Sequence, residues 1–268
     1  MQVAFSKYHG AGNDFILIDD RNEVFPALPP ELEQELVQKL CHRRFGIGAD
    51  GLILVRNSTE VDFEMRYFNA DGAPGSLCGN GGRCVSRFVT DRGMIKASEL
   101  HFLASDGLHR SVVLEDGQVD LEMHSPTSIE QCGSDFVVDT GSPHYIRWTS
   151  DLDSIDVLGK GREIRHSDEY NAEGINVNFI EVAGQSIRIR TFERGVEAET
   201  LACGTGAVAA AVAASLEQGL FGAQLWLVEA LGGILQVSFR QQGSAFEDVH
   251  LIGPAEYVFE GQFDPSGL

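Results

Sequence analysis

The chain has 268 residues, 43% of them hydrophobic, with 30 glycines and a formal net charge of −20. That length can bury one large core or two of ordinary size, and an acidic field of this strength disfavours nucleic acid and anionic membrane as partners. The N-terminal segment MQVAFSKYHG has no apolar targeting core, and no apolar stretch reaches the length of a membrane span, so a cytoplasmic protein is expected. The acidic residues are dispersed rather than blocked. They fit either a surface tuned for solubility or a salty cytoplasm in which ions screen the self-repulsion. Five cysteines, Cys41, Cys78, Cys84, Cys132 and Cys203, are an odd number scattered through a long chain, which points to unbridged thiols in a reducing compartment.

Along the chain, β-rich runs predict strands at Phe15 to Ile18, Gly51 to Val55, Asp62 to Tyr67, Val119 to Met123 and Phe136 to Thr140. Further runs cover Ile175 to Glu181, Ser186 to Phe192, Gln224 to Val228 and Leu235 to Phe239. Turn dipeptides such as Asp71-Gly72, Asp106-Gly107, Asp116-Gly117 and Gly232-Gly233 separate them. Helical patterns are fewer: Pro30 to Leu40, with Leu32, Leu36, Val37 and Leu40 on one face, and the segments that follow Cys78 and Cys203. Strands dominate, with one long helix in each half, so the fold class is α+β rather than a βαβ array.

Two phrases repeat: Cys78-Gly79-Asn80-Gly81 and Cys203-Gly204-Thr205-Gly206. Each follows a β run that ends in phenylalanine and polar residues, Phe68-Asn69-Ala70-Asp71-Gly72 in the first half and Phe192-Glu193-Arg194-Gly195 in the second. Each feeds an apolar helical run. An internal duplication fits, with two domains, 1–124 and 125–268, a seam near Met123 to Gly133, and the last residues packing back on the first half. The glycines let backbone approach a ligand, and a helix N-terminus offers unpaired N–H groups to an anion. A thiol at such a place becomes a usable acid or base. Two thiols facing one carbon can remove a proton from one side and deliver one to the other, which inverts a stereocentre. The helix ends would hold the negative charge that develops on an adjoining carboxylate.

These runs, with His9-Gly10-Ala11-Gly12-Asn13-Asp14-Phe15, Phe45-Gly46-Ile47-Gly48-Ala49-Asp50 and Gly253-Pro254-Ala255-Glu256, resemble the diaminopimelate epimerase family across nearly the whole chain. The resemblance implies two pseudo-symmetric domains, each a sheet wrapped around a central helix, with the active site in the cleft between them. It also implies cofactor-independent interconversion of LL- and meso-2,6-diaminopimelate in lysine and peptidoglycan precursor biosynthesis. By matching position, Cys78 and Cys203 are the acid/base pair, and the backbone of Gly79-Asn80 and Gly204-Thr205 holds the reacting carboxylate. Asn13, Asn69, Asn176 and Arg194 read the substrate, Arg194 through its distal carboxylate. Glu193 sits near the ammonium and thiols, and His144 sets the thiols' protonation. The chain departs from the family's usual residues at Ser142 (commonly Asn), at Gly51 (often Gln) and at Glu229-Ala230-Leu231-Gly232-Gly233 (usually Pro-Gly-Gly).

Blander readings stand beside these. Cys41, Cys84 and Cys132 read as inert buried hydrophobes. A zinc site at Cys78 and Cys84 is disfavoured, because no Cys-x-x-Cys pair exists and the spacing runs into a helix. A pyridoxal-phosphate enzyme is disfavoured because the lysines are only Lys7, Lys39, Lys96 and Lys160, none in a phosphate-binding context. No metal and no cofactor are therefore expected. Asn176, between Ile175 and Val177, is an asparagine in a β run where a packed polar group needs a reason; ligand binding is the favoured one. A racemase of proline, hydroxyproline, glutamate or histidine, and a non-catalytic small-molecule binding module, remain as alternatives. A homodimer through an exposed sheet edge is plausible.

Overall fold

The computed structural model describes residues 2–75 and 77–265. In chain order its elements begin β1 (Val3–Gly10), β2 (Asn13–Asp19), α1 (Pro30–Cys41), β3 (Gly51–Arg56), β4 (Phe63–Asn69), α2 (Gly79–Asp91), β5 (Glu99–Ala104), β6 (Gly107–Val113) and β7 (Val119–Glu122). They continue with β8 (Ser128–Cys132), β9 (Asp135–Asp139), β10 (Pro143–Trp148), α3 (Val157–Arg165), β11 (Asn176–Ala183), β12 (Ser186–Glu193), β13 (Ala198–Thr200) and α4 (Gly204–Glu217). The last strands are β14 (Gly222–Ala230), β15 (Gly233–Gln242), β16 (Ala245–Gly253) and β17 (Glu256–Phe263). The chain divides into two compact units, Met1–Leu121 with Pro254–Leu268, and Glu122–Gly253.

In the first unit the sheet runs β17–β1–β2–β3–β4–β5–β6–β7. Successive pairings are antiparallel, antiparallel, parallel, antiparallel, parallel, antiparallel and antiparallel. In the second unit β8–β9–β10–β11–β12–β14–β15–β16 repeats that sequence of pairings without a change. The units are therefore two copies of one topology. They differ in threading: the strand that opens the second sheet, β8, directly precedes its neighbour, whereas its counterpart in the first sheet is the last strand of the chain. The short β13 pairs with the Thr191–Glu193 end of β12, beyond the stretch that β14 uses.

Each parallel pairing is joined through a helix: α1 from β2 to β3, α2 from β4 to β5, α3 from β10 to β11, and α4 from β12 towards β14. The class is α+β, as expected, but the exclusion of βαβ units is corrected. Four such crossovers lie inside mixed sheets, because a parallel pairing needs a long connection and a helix supplies it compactly. The absence of α3 from the predicted helices has a local cause. It spans nine residues and contains Gly159 and Gly161, so its period is weak. It forms because Asp156 caps its N-terminus, accepting from the Gly159 N–H at 2.9 Å, and because Val157 and Ile164 bury against Val177, Phe179 and Phe192.

Alternation along the strands separates two layers in each unit. Ile16, Ile18, Leu52 and Leu54 bury with Leu36, Val37 and Leu40 of α1. The opposite face covers α2, which lies against β1, β2, β3, β6 and β17. Likewise α4 lies against β9 to β12 and β14 to β16, so the second sheet wraps it. Ala207 to Ala214 are all within 1% of complete burial, and their small side chains let strands approach the helix from every side. Among the described residues no helix is long and apolar enough to cross a membrane.

Candidate functional site

Cys78 and Cys203 occupy the same place in the two topologies, the N-cap of the central helix, with extended backbone at φ −94° and ψ 122° for Cys78 and φ −121° and ψ 113° for Cys203. The first helical bonds run from Gly82 N–H to the Cys78 carbonyl at 2.7 Å and from Ala207 N–H to the Cys203 carbonyl at 2.9 Å. The amides of Gly79 and Asn80, and of Gly204 and Thr205, thus fall in the first helical turn, where N–H groups have no intrahelical acceptor. Both thiols are half-buried.

Around Cys78 the first unit places a dense polar cluster. The Cys78 thiol donates to Asn13 Oδ1 at 3.5 Å, and Asn80 Nδ2 donates to the same oxygen at 3.1 Å. Asn13 is held at its other end, where Nδ2 donates to Asp50 Oδ2 at 2.8 Å. Asp50 in turn accepts from Arg43, which also grips Asp14, and Lys7 pairs with Asp14 at 2.7 Å. Burial by itself would raise the Asp14 carboxyl, but the hydrogen bonds from Arg43 and Lys7 more than reverse this and hold it well below the usual carboxylate range. Beneath the helix end lies Arg83, completely buried; it donates to Asn80 Oδ1 at 2.8 Å and to the Gly79 carbonyl at 3.3 Å. Burial lowers its affinity for the proton. Asn69, by contrast, is exposed at the end of β4, accepts from the Tyr67 hydroxyl at 3.0 Å and donates to the Ala73 carbonyl at 3.4 Å.

In the second unit a chain of bonds reaches Cys203. Its sulfur lies 3.4 Å from Thr205 Oγ1, which lies 2.9 Å from His144 Nε2. His144 Nδ1 meets Asn178 Nδ2 at 3.1 Å. Burial, assisted by the Arg194 charge, pushes the His144 imidazole down to about 3, so it is neutral at working pH. Thr140 Oγ1 donates to the Thr205 carbonyl at 3.1 Å and steadies the loop. Arg194 donates to the Glu173 carbonyl at 3.1 Å and to Ser142 Oγ at 3.4 Å, and its backbone N–H donates to Asn176 Oδ1 at 2.9 Å. Asn176 Nδ2 also donates to Ser142 Oγ at 2.9 Å and to the Pro143 carbonyl at 3.2 Å. Glu193 is half-buried at the end of β12, next to Arg194.

Thus Asn13, Cys78, Gly79 and Asn80 form one connected group, and His144, Cys203, Gly204 and Thr205 another, which Arg194 with Asn176 flanks. Asn69 stands in its own smaller group with Tyr67. Sequence reasoning missed Asp50, Arg83 and Asn178. The signal for Asn178 was present, since it follows Asn176 by two on the same face of an apolar strand, and the argument that singled out Asn176 applies equally to it. Asp50 and Arg83 carry no such signal, because a charged residue in a loop or helix is ordinary until its burial is known.

At Gly206 a Cβ would come within 2.6 Å of Asn178 Oδ1, so the space is used by the protein's own side chain. One expectation needs correction. Cys132 is half-buried in the β8–β9 hairpin and is not a core thiol, whereas Cys41, pushed up to about 12 by burial, and Cys84, pushed up further, fit the inert reading.

The two units share one plan, a central helix with a cysteine at its N-cap, wrapped by a sheet. The same fold is found in a phenazine biosynthesis protein of the PhzF family from Bacillus anthracis (TM-score 0.75, 16% identity, covering 98% of this chain and 99% of that one). It recurs in a hydroxyproline epimerase from Agrobacterium vitis (TM-score 0.73, 16% identity, covering 99% of this chain and 94% of that one). The sequence profile of diaminopimelate epimerase matches residues 5–129 and 136–258. Diaminopimelate epimerases of Flavobacterium psychrophilum (44% identical, 95% of this chain and 97% of the relative) and Aquifex aeolicus (36% identical, 99% of each) align along nearly their full lengths. The chain belongs to the diaminopimelate epimerase family.

Proposed function

We propose that this protein interconverts LL- and meso-2,6-diaminopimelate by moving a proton at Cα between two thiols, with Cys78 and Cys203 acting as acid and base on opposite faces of that carbon. The observation that carries the reading is the matched pair of cysteine N-caps on α2 and α4, in a chain of this family. The Cα–H of an amino acid is a very weak acid, so the negative charge passing to its carboxylate must be stabilised. First-turn amides of Gly79, Asn80, Gly204 and Thr205 are suited to that work, since they are fixed before the reaction and aligned with the helix dipole. Arg194 recognises the distal carboxylate; a guanidinium held by a carbonyl and a hydroxyl keeps its full charge for an incoming anion. Asn13, Asn69 and Asn176 orient the substrate, and Glu193 faces its ammonium.

The test is LL-diaminopimelate in D2O with no cofactor added, sampled at early times beside L-proline and L-glutamate. Inverted diaminopimelate should carry deuterium while recovered substrate remains protiated, because the group that removes the proton is not the one that delivers it. Early deuterium in the substrate pool at the rate of turnover would exclude two separate thiols. Turnover of proline in place of diaminopimelate would move the substrate assignment to another amino acid.

A further inference from the structure

We infer that Asn178 is a positioning residue that fixes the direction of the hydrogen bonds ending on Cys203, so that the Thr205 hydroxyl donates to that sulfur and Cys203 rests as the thiolate. The inference rests on the proposed role of Cys203 as one of the two acid/base thiols.

The direction follows from groups whose roles cannot change. Asn178 Nδ2 lies 3.3 Å from the Tyr145 carbonyl, which can only accept, and Asn178 Oδ1 accepts from Thr191 Oγ1 at 2.9 Å. The amide orientation is thereby set, and Nδ2 is the donor that meets His144 Nδ1 at 3.1 Å. His144 Nδ1 must therefore be unprotonated, and the single ring proton of the neutral imidazole sits on Nε2. Nε2–H donates to Thr205 Oγ1 at 2.9 Å, which leaves the threonine's own proton for Cys203 Sγ at 3.4 Å. A hydrogen bond donated to a sulfur favours its charged form.

The cluster is built for this. His144 and Asn178 are completely buried, and Gly206 lacks a Cβ where one would strike Asn178 Oδ1. The charged group that acts on His144 is Arg194, from the end of β12. The first unit presents an acceptor instead, Asn13 Oδ1, to the equivalent Cys78. The two thiols therefore meet opposite hydrogen-bond polarity although their sequence phrases are alike.

The experiment follows iodoacetamide alkylation of Cys203, mapped by peptide mass spectrometry, against pH in a full-length Cys78→Ser background. Thr205→Val should raise the midpoint of the Cys203 rate profile by about one pH unit or more, as expected for a lost hydrogen bond to a charged group. Thr205→Ser, which keeps the hydroxyl, should keep the wild-type midpoint. Asn178→Asp accepts from His144 Nδ1–H and turns Nε2 into an acceptor for Thr205, so it should raise the midpoint as Thr205→Val does. An unmoved midpoint in Thr205→Val or in folded Asn178→Asp overturns the inference, as does a serine variant that shifts as far as valine. If Asn178→Asp does not fold, the Thr205 pair decides alone. None of these readouts needs diaminopimelate turnover, so a wild-type enzyme inactive on that substrate would overturn the proposed function and leave this result standing.

Discussion

Arg194 is held by the Glu173 carbonyl and the Ser142 hydroxyl, so its fork is oriented before any substrate arrives. Arg194→Lys keeps the charge and loses the fork. It should lower kcat/KM for LL-diaminopimelate by ~1.5–3 kcal/mol of transition-state binding, the range for hydrogen bonds to charged groups; an unchanged kcat/KM would remove Arg194 from the substrate site. His144 makes a pH prediction. Its ionisation is depressed from 6.5 in the unfolded chain to about 3 in the native protein, so the unfolded state binds the proton first as pH falls. Stability from this group is complete above pH 6.5 and is lost as the pH drops from there towards 3. At pH 5 the loss should be about 2 kcal/mol relative to pH 7. Urea unfolding of wild type and His144→Gln at both pH values checks this, and the wild type should show the larger drop. Gly51 explains one departure from the family pattern. A Cβ there would lie 2.5 Å from the Tyr67 ring and 2.7 Å from the Phe68 carbonyl, so Tyr67 fills the space that a larger residue would take.

The two central helices perform one task with different compositions. In α4 the alanine run is buried on all sides, and a polar anchor ties the C-terminal half of the helix to the sheet, where the buried Trp226 indole N–H donates to Ser215 Oγ at 2.8 Å. Ser215→Ala leaves that indole proton without its acceptor in a place water does not reach. The expected cost is ~1–3 kcal/mol, read as a lower urea midpoint at unchanged slope. In α2 the corresponding anchor is Ser86, which shares a 2.7 Å bond with Ser111 of β6. The crossovers through α1 to α4 were hidden from the sequence because strand direction has no local signature. A strand reads the same whether its partner is parallel or antiparallel.

Across the whole molecule the net charge of −20 sets the response to salt. Many arginines are already committed to carboxylates, as in Arg66–Glu33, Arg110–Glu99, Arg147–Asp135 and Arg190–Glu199, which leaves a large excess of acidic surface to repel itself. If the surface is adapted to salt, the melting temperature should rise markedly between low salt and molar KCl as the repulsion is screened. A flat or falling melting temperature over that range would leave solubility as the reason for the charge.

The sequence by itself determined the α+β class, the duplication, and the two cysteine phrases at helix starts, because glycine-rich turns, apolar period and a repeated short phrase are local properties of the chain. Asn13 and Asn80 stand out in the sequence for the same reason, since each lies in a motif or next to one. Only the tertiary structure decided that Arg83 is buried under the first helix end and that Asp50 orients Asn13. It alone decided that Asn178 and His144 direct a hydroxyl at Cys203. Those facts depend on which residues, distant in sequence, come within hydrogen-bond reach. That is settled by strand order and register, and two thiols in matching phrases acquire different partners because the surrounding strands carry different side chains.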